Sequence, residues 1–245
     1  MRSTIKKSLA LTAASFSLAG IALGMLPGSA QADVMSPATR IAQYKAYLAM
    51  QVAAGDEQAK ETAEGFAALS DSQKSRFLDL IEDRSVVEKF FEASEAPPLV
   101  SGTTQSVMAN GDVVVERESL GGEDETSTNT SAALRAAGYK DMWASYSVSD
   151  KVFGVKVSRV TVKTNYQVKG HDTTKVYPGS ASHYLYVPGC DFSHSPVKEW
   201  ISSPPADNAQ SETVWTASCW GSAWDKRERV WGDYRGFVGG YLKED

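Results

Sequence analysis

KVFGVKVSRVTVKTNYQVK, residues Lys151–Lys169, is the longest strand pattern in the chain. Its Val, Phe and Tyr side chains alternate with Gly, Lys, Ser, Thr and Gln, as in a β-strand with one buried and one solvated face. The apolar phase shifts by one residue near Ser158-Arg159, so the pattern predicts either a β-bulge or a break into two strands there. A sheet with one apolar face must bury that face against another layer.

The strand pattern continues on both sides of this stretch. Asn110-Gly111 separates two extended runs and predicts a tight β-hairpin, because both turn positions need positive φ. From Tyr139 onward the chain reads as short strands, with turns predicted at Pro178-Gly179 and Pro188-Gly189. Strands at this spacing are typical of an antiparallel β-sandwich or a barrel-like domain.

The N-terminal third has a helical pattern. Ser36-Pro37 predicts a helix start, Asp56 a second start after Gly55, and Ser70 with Gln73 a capping box for a third helix. This segment could be an independent domain, a pro-segment or a set of helices packed on the sheet. The last is favoured because the segment is small for a core of its own.

The fold class predicted is therefore α+β, with an N-terminal helical segment before an antiparallel β-sandwich or barrel-like domain that has one disulfide. The predicted organisation is a secretory signal peptide (1–32), a helical segment (33–96), a linker with a β-hairpin and an acidic polar loop (97–131) and an aromatic-rich antiparallel β domain (132–245).

The signal peptide is predicted from three features. Arg2, Lys6 and Lys7 form a positive region, an apolar run follows, and Ala30-Gln31-Ala32 matches a small-residue cleavage site. An uncleaved membrane anchor is the alternative. We expect a secreted, extracellular protein, and Cys190 and Cys219 are then predicted to form a disulfide, because an exported chain meets an oxidising environment.

The charge of the chain disfavours nucleic acid as a partner. The whole sequence has a net charge of −5, and the predicted signal peptide contains basic residues and no acidic ones. Neutralising phosphates requires clustered Lys and Arg, and the only short basic run, Lys226-Arg227-Glu228-Arg229, is interrupted.

Three histidines, His171, His183 and His194, are the weak catalytic candidates. With Asp172 or Asp191 they could form an acid–base pair, which would make the protein a secreted hydrolase. Their spacing matches no metal-ligand motif, and we expect neither a metal nor another cofactor. The simpler interpretation is that they are surface and loop histidines.

The aromatic content is the most informative feature. All six tryptophans lie in the predicted β domain, and Trp220, Trp224 and Trp231 are the predicted ligand-binding residues. Exposed Trp and Tyr rings are typical of surfaces that bind sugars, proteins or membrane interfaces. The alternative is that these rings fill the core between two sheets.

The layout resembles that of small secreted proteins of Gram-positive bacteria, some of them bacteriocin- or toxin-like. The first hypothesis is a secreted, non-enzymatic binding protein whose β domain recognises a cell-surface polysaccharide or protein. The second is a membrane-active protein that inserts an amphipathic hairpin such as Lys151–Lys169. The third is the histidine-dependent hydrolase.

Overall fold

A computed structural model of the protein describes residues 35–94 and 101–244. The predicted signal peptide (1–32) and the first four residues of the predicted linker (97–100) lie outside these residues. No helix in the described part of the chain has both the length and the apolar character needed to cross a bilayer.

The described chain begins with four helices, α1 (Pro37–Ala53), α2 (Glu57–Ala68), α3 (Asp71–Ile81) and α4 (Arg84–Ser94). Three of them start at the cap residues predicted from sequence. The side chain of Ser36 accepts a hydrogen bond from the Thr39 N–H, Asp56 caps α2 in a similar way, and Ser70 and Gln73 form a complete capping box.

The first sheet is antiparallel, with its strands in chain order: β1 (Gly102–Met108), β2 (Val113–Glu123), β3 (Tyr139–Val152), β4 (Val155–Lys169) and β5 (Asp172–Leu185). The hairpin predicted at Asn110-Gly111 is confirmed, and Asn110 has a φ of 59° there. A short helix, α5 (Ala132–Ala136), lies in the connection between β2 and β3.

The Lys151–Lys169 stretch forms the end of β3, a tight turn and β4. Phe153 and Gly154 have φ values of 51° and 79°, and a two-residue hairpin turn requires such positive values. The predicted bulge is present, because a register shift between β3 and β4 leaves Val157 without an opposite residue. The bulge lies one residue before Ser158, and it keeps the apolar side chains of β4 on the buried face.

The second sheet also has five strands: β6 (Cys190–His194), β7 (Lys198–Ile201), β8 (Ala209–Cys219), β9 (Ser222–Asp233) and β10 (Gly236–Glu244). Strands β10, β9 and β8 pair in succession, and β6 and β7 both pair with β8. The predicted disulfide is confirmed: Cys190 and Cys219 lie opposite each other on β6 and β8 and are bonded.

The two sheets face each other over a shared apolar core, as in a sandwich. Of the two predicted β architectures, the closed barrel is not the one observed, because the sheets have separate strand orders. The first sheet contributes side chains such as Val115, Tyr146, Val162 and Tyr166, and the second contributes Trp215, Val230 and Leu242.

The helices dock on the first sheet through a second apolar cluster. Its aromatic centre is Tyr44, Phe66 and Phe77, whose ring centroids lie 4.8 to 5.5 Å apart, and strand residues such as Val152 and Val155 complete it. The Tyr44 hydroxyl also donates a hydrogen bond to the Tyr186 carbonyl at 2.9 Å. The residues from Met35 onward form one compact unit.

The backbones of the two sheets approach each other closely at Gly121. A Cβ atom there would lie 2.4 Å from the Phe237 amide nitrogen and 2.8 Å from the Trp143 carbonyl oxygen. Because backbone atoms cannot rotate away, we expect Gly121→Ala to lower the free energy of unfolding by about 2–3 kcal/mol. Gly122→Ala is the matched control, since a Cβ there meets no atom within 4 Å. Equal stabilities of the two variants in chemical denaturation would contradict the close approach.

Candidate ligand-binding surface

The three tryptophans predicted to bind a ligand lie in three different environments. Trp220 is in the turn between β8 and β9, has a φ of 47° and is 44% exposed. Trp224 packs against the sandwich core, and the Arg84 guanidinium carbon lies 5.6 Å from its ring centroid. Trp231 is seven positions further along β9 and so lies on the opposite, outer face. The fold does not bring the three side chains together.

The Trp231 ring lies over the backbone of the neighbouring strand β10. Its opposite residue on β10 is Gly239, and a Cβ atom there would come within 2.3 Å of Cζ2 of the indole. The ring therefore covers a position that has no side chain. Trp231 is half-buried, so part of its ring is accessible to solvent.

Trp231 belongs to a row of side chains that runs across three strands. Trp200 on β7 pairs with Gln210 on β8, and Gln210 pairs with Trp231 on β9. Paired residues have side chains on the same face of a sheet. Because neighbouring strands lie about 4.8 Å apart, the two tryptophan positions are separated by about 10 Å with an amide between them.

A second row of side chains lies beside the first, and cation–π contacts and an ion pair of Arg229 hold it together. The Arg229 guanidinium carbon is 4.9 Å from the Trp200 ring centroid and 5.5 Å from that of Tyr241. Arg229 Nε also donates a hydrogen bond to Oε2 of Glu212 at 2.6 Å. Stacking and ion pairing together fix the guanidinium between the rings. We call this surface the outer aromatic face and define it as Trp200, Gln210, Glu212, Arg229, Trp231 and Tyr241.

The remaining tryptophans occupy two other places. Trp215 is 3% exposed and belongs to the sandwich core, so the core-filling interpretation applies to it. Trp143 lies on the first sheet, where its ring is half-buried and the Lys163 Nζ atom is 5.0 Å from the ring centroid. Sequence reasoning singled out Trp231 but missed Trp200, Tyr241 and Arg229, because only strand register places them around it.

The fold brings two of the three histidines together and leaves the third apart. His171 packs against Tyr234, with ring centroids 4.3 Å apart. His183 on β5 and His194 on β6 come together where the edges of the two sheets meet, with ring centroids 6.4 Å apart. The Trp215 ring contacts both, at 5.5 Å from His183 and 4.9 Å from His194.

The polar neighbours of His183 and His194 in the described chain do not form a catalytic acid–base pair with them. Nδ1 of His194 lies 2.8 Å from the Ser195 carbonyl oxygen. Burial and the neighbouring imidazole of His194 lower the pKa of His183, and Asp191 opposes this shift by a smaller amount. Within the described part of the chain, no histidine hydrogen-bonds to a carboxylate or hydroxyl side chain, which a catalytic acid–base pair would require.

A groove of about 840 Å³ adjoins His183, between the first two helices and the sandwich edge at β5 and β6. Tyr184 and Tyr186 stack there with ring centroids 5.4 Å apart. The Tyr186 hydroxyl donates a hydrogen bond to Asp56, whose oxygens also cap α2. The polar groups on this side of the groove therefore hold the helices against the sandwich.

The acidic residues available in the β domain are mostly paired. Glu212 binds Arg229, the Thr216 hydroxyl donates to Asp225, Asp233 binds Arg235, and Glu199 accepts from the Gly179 N–H.

One carboxyl that sequence reasoning did not single out is fully buried between the sheets. Glu228 is 0% exposed, and its Oε2 accepts a hydrogen bond from Nε1 of Trp215 at 2.5 Å. Burial raises the pKa of Glu228 to about 8, against the opposing hydrogen bonds from Trp215 and the Val162 backbone. The side chain is therefore mostly protonated at neutral pH.

Comparisons with family models, curated proteins and solved structures find no match for this chain. Across residues 35–94 and 101–244, no three His, Cys, Asp or Glu side chains are grouped so as to hold a metal ion. The fold and surface still define a class: a helix-capped, disulfide-linked antiparallel β-sandwich with a row of aromatic rings on the outer side of one sheet.

Proposed function

We propose that the protein is a secreted, non-enzymatic binding protein whose outer aromatic face recognises a cell-surface polysaccharide. The observation that carries the proposal is the Trp231 ring over Gly239, set in one cross-strand row with Gln210 and Trp200. A predicted signal peptide and the Cys190–Cys219 disulfide support an extracellular location.

The chemistry of the outer aromatic face suits a glycan. The C–H face of a pyranose ring stacks on an aromatic ring. The hydroxyls at the edge of the sugar then need hydrogen-bond donors and acceptors beside that aromatic ring. Trp200 and Trp231 lie about 10 Å apart across two strand spacings, which is the length of roughly two sugar units. Gln210 lies between them and offers both an amide donor and an acceptor.

Contacts within the surface hold several of its side chains together without any ligand. Arg229 is stacked between Trp200 and Tyr241 and paired with Glu212. Side chains that are already ordered lose little entropy on binding, which improves affinity at a given contact area. A large flexible chain such as a polysaccharide gains most from such a site.

We expect Trp231→Ala to weaken polysaccharide binding roughly 30-fold, because removal of a central aromatic anchor costs about 2 kcal/mol. The measurement is titration of the purified protein with isolated bacterial cell walls and soluble wall polysaccharides, followed by tryptophan fluorescence and by sedimentation. Trp143→Ala is the matched control, since that ring is also half-buried but lies on the other sheet.

A second variant tests the orientation of the ring without removing it. Gly239→Ala places a methyl group where the Trp231 indole lies, so the ring must tilt away from the sheet and binding should weaken as well. Wild-type binding by Trp231→Ala, or an equal loss in Trp143→Ala, would contradict the proposal. Binding that disappears when the walls are stripped of protein would show a protein partner instead.

A further inference from the structure

His183 and His194 form a pair that the sequence does not reveal. They belong to different sheets, since β5 is an edge strand of the first and β6 an edge strand of the second. Their imidazole centroids lie 6.4 Å apart with the rings nearly perpendicular, at 77°. Both side chains are exposed, so a small solute reaches them without any movement of the backbone.

We infer that His183 and His194 together bind a divalent transition-metal ion at the junction of the two sheets. A metal–nitrogen bond of 2.0–2.1 Å places the ion roughly 3.2 Å from the centre of each imidazole. A ring separation of 6.4 Å is the widest that one ion can bridge. An angular arrangement of the two ligating nitrogens therefore requires these exposed side chains to move closer together when the ion binds.

The immediate surroundings favour a cation at this place. The His194 Nδ1 atom, 2.8 Å from the Ser195 carbonyl oxygen, donates its proton there. This hydrogen bond fixes the tautomer in which Nε2 is free to ligate, an arrangement that second-shell carbonyls commonly impose on metal-binding histidines. The nearby Asp191 carboxylate interacts electrostatically with His183 and adds negative charge.

The identity of the ion follows from the ligand chemistry. Two imidazoles suit Cu²⁺, Ni²⁺ and Zn²⁺, and the general order of affinities places Cu²⁺ first. With two protein ligands the remaining positions are taken by water, so the ion exchanges readily with solution. The Trp215 ring, which contacts both imidazoles, supplies an internal probe, since bound Cu²⁺ quenches the fluorescence of a nearby indole.

The experiment uses the fact that the chain contains only three histidines. Substoichiometric CuCl₂ is added to the purified, tag-free protein, and the three imidazole Cε1–H signals are followed by NMR. We expect the signals of His183 and His194 to broaden first and that of His171, which packs on Tyr234 away from the pair, to persist. Equal broadening of all three signals would overturn the inference.

Variants give an independent readout. The dissociation constant for Cu²⁺, measured by fluorescence quenching and by calorimetry, should rise at least tenfold in His183→Ala and in His194→Ala. His171→Ala is the matched control and should bind as the wild type does. Unchanged affinity in either of the first two variants, with the fold intact by circular dichroism, would also overturn the inference. Because this site is separate from the outer aromatic face, polysaccharide binding should be the same in all three variants.

Discussion

Glu228→Gln is expected to abolish most of the loss of stability that the wild-type protein undergoes as the pH rises from 4.5 to 8. The carboxyl is fully buried, and burial raises its pKa from the ordinary value of 4.5 to about 8. In this window the folded state therefore holds a proton that the unfolded state has released. Stability is greatest below the unfolded pKa and falls as the pH rises towards the folded one.

The size of the effect follows from the shift. Each pKa unit corresponds to 1.36 kcal/mol, so the full window costs the wild type about 5 kcal/mol. Glutamine has nearly the same shape and no charge, and its carbonyl oxygen can accept the hydrogen bond that Trp215 now donates to Oε2. The variant should match the wild type near pH 4.5 and be more stable by several kcal/mol at pH 8.

Urea unfolding at a series of pH values measures this difference. Glu64→Gln is the control, because it removes an exposed carboxyl on α2 and should leave the wild-type pH dependence in place. A smaller dependence of the same sign should remain in Glu228→Gln, since burial raises the pKa of Asp150 to about 6. If Glu228→Gln lost stability with pH as steeply as the wild type, the buried carboxyl would not be its source.

Glu228 also connects the core to the histidine pair. Its carboxyl accepts one hydrogen bond from the Trp215 indole, and that indole packs against both His183 and His194. The Glu228 carboxyl, whose ionisation at high pH destabilises the fold, thus positions Trp215. Among the described residues, Trp215 is the core tryptophan whose ring contacts both histidines. Deprotonation of Glu228 at high pH should therefore be seen in the fluorescence of Trp215.

Local signals in the sequence predicted much of the fold. Helix starts at Ser36, Asp56 and Ser70 were predicted because a cap is a contact between residues three positions apart. The hairpin at Asn110-Gly111 was also predicted from a local signal, the two adjacent turn residues. The disulfide between Cys190 and Cys219 was predicted because a chain predicted to be exported, with only two cysteines, is expected to pair them.

The features that the sequence did not predict are of two kinds: turns made by unusual residues and contacts between residues that are distant along the chain. The turn at Phe153-Gly154 was missed because Phe is a rare turn former and kept the alternating pattern intact. The predicted turn at Pro178-Gly179 was wrong: β5 continues through it, with a register shift against β4 that absorbs the irregularity. The predicted acidic loop, which ends at residue 131, is not exposed throughout: Thr130 is 3% exposed and donates a hydrogen bond to Asp141 at 2.6 Å.

Both proposed sites belong to this non-local class. The outer aromatic face joins Trp200 to Trp231 only because β7, β8 and β9 pair in a particular register. The histidine pair joins two sheets whose edges meet at β5 and β6. Spacing along the chain carries no information on either contact, so a search for metal or catalytic motifs could not find them.

The helical segment is the part of the chain whose role sequence left most open, and Phe66→Ala tests it. Phe66 is 0% exposed and packs between Tyr44 and Phe77, with ring centroids 4.8 and 5.0 Å away. Truncation of a buried Phe to Ala costs about 3–5 kcal/mol. For a domain of this size that corresponds to a fall in Tm of roughly 10 °C.

The chain offers two separate probes for this transition. Every tryptophan lies in the β domain, so fluorescence reports the sandwich, whereas circular dichroism at 222 nm reports mainly the helices. Because Phe66 and Tyr44 share one cluster with Val152 and Val155 of the sheet, we expect both signals to shift together in Phe66→Ala. Met50→Ala, at a residue that is 64% exposed, should change Tm by about 1 °C or less. A helix signal that melts early while fluorescence keeps its wild-type Tm would instead show a separable segment, and the groove between helices and sandwich would then exist only while that segment is docked.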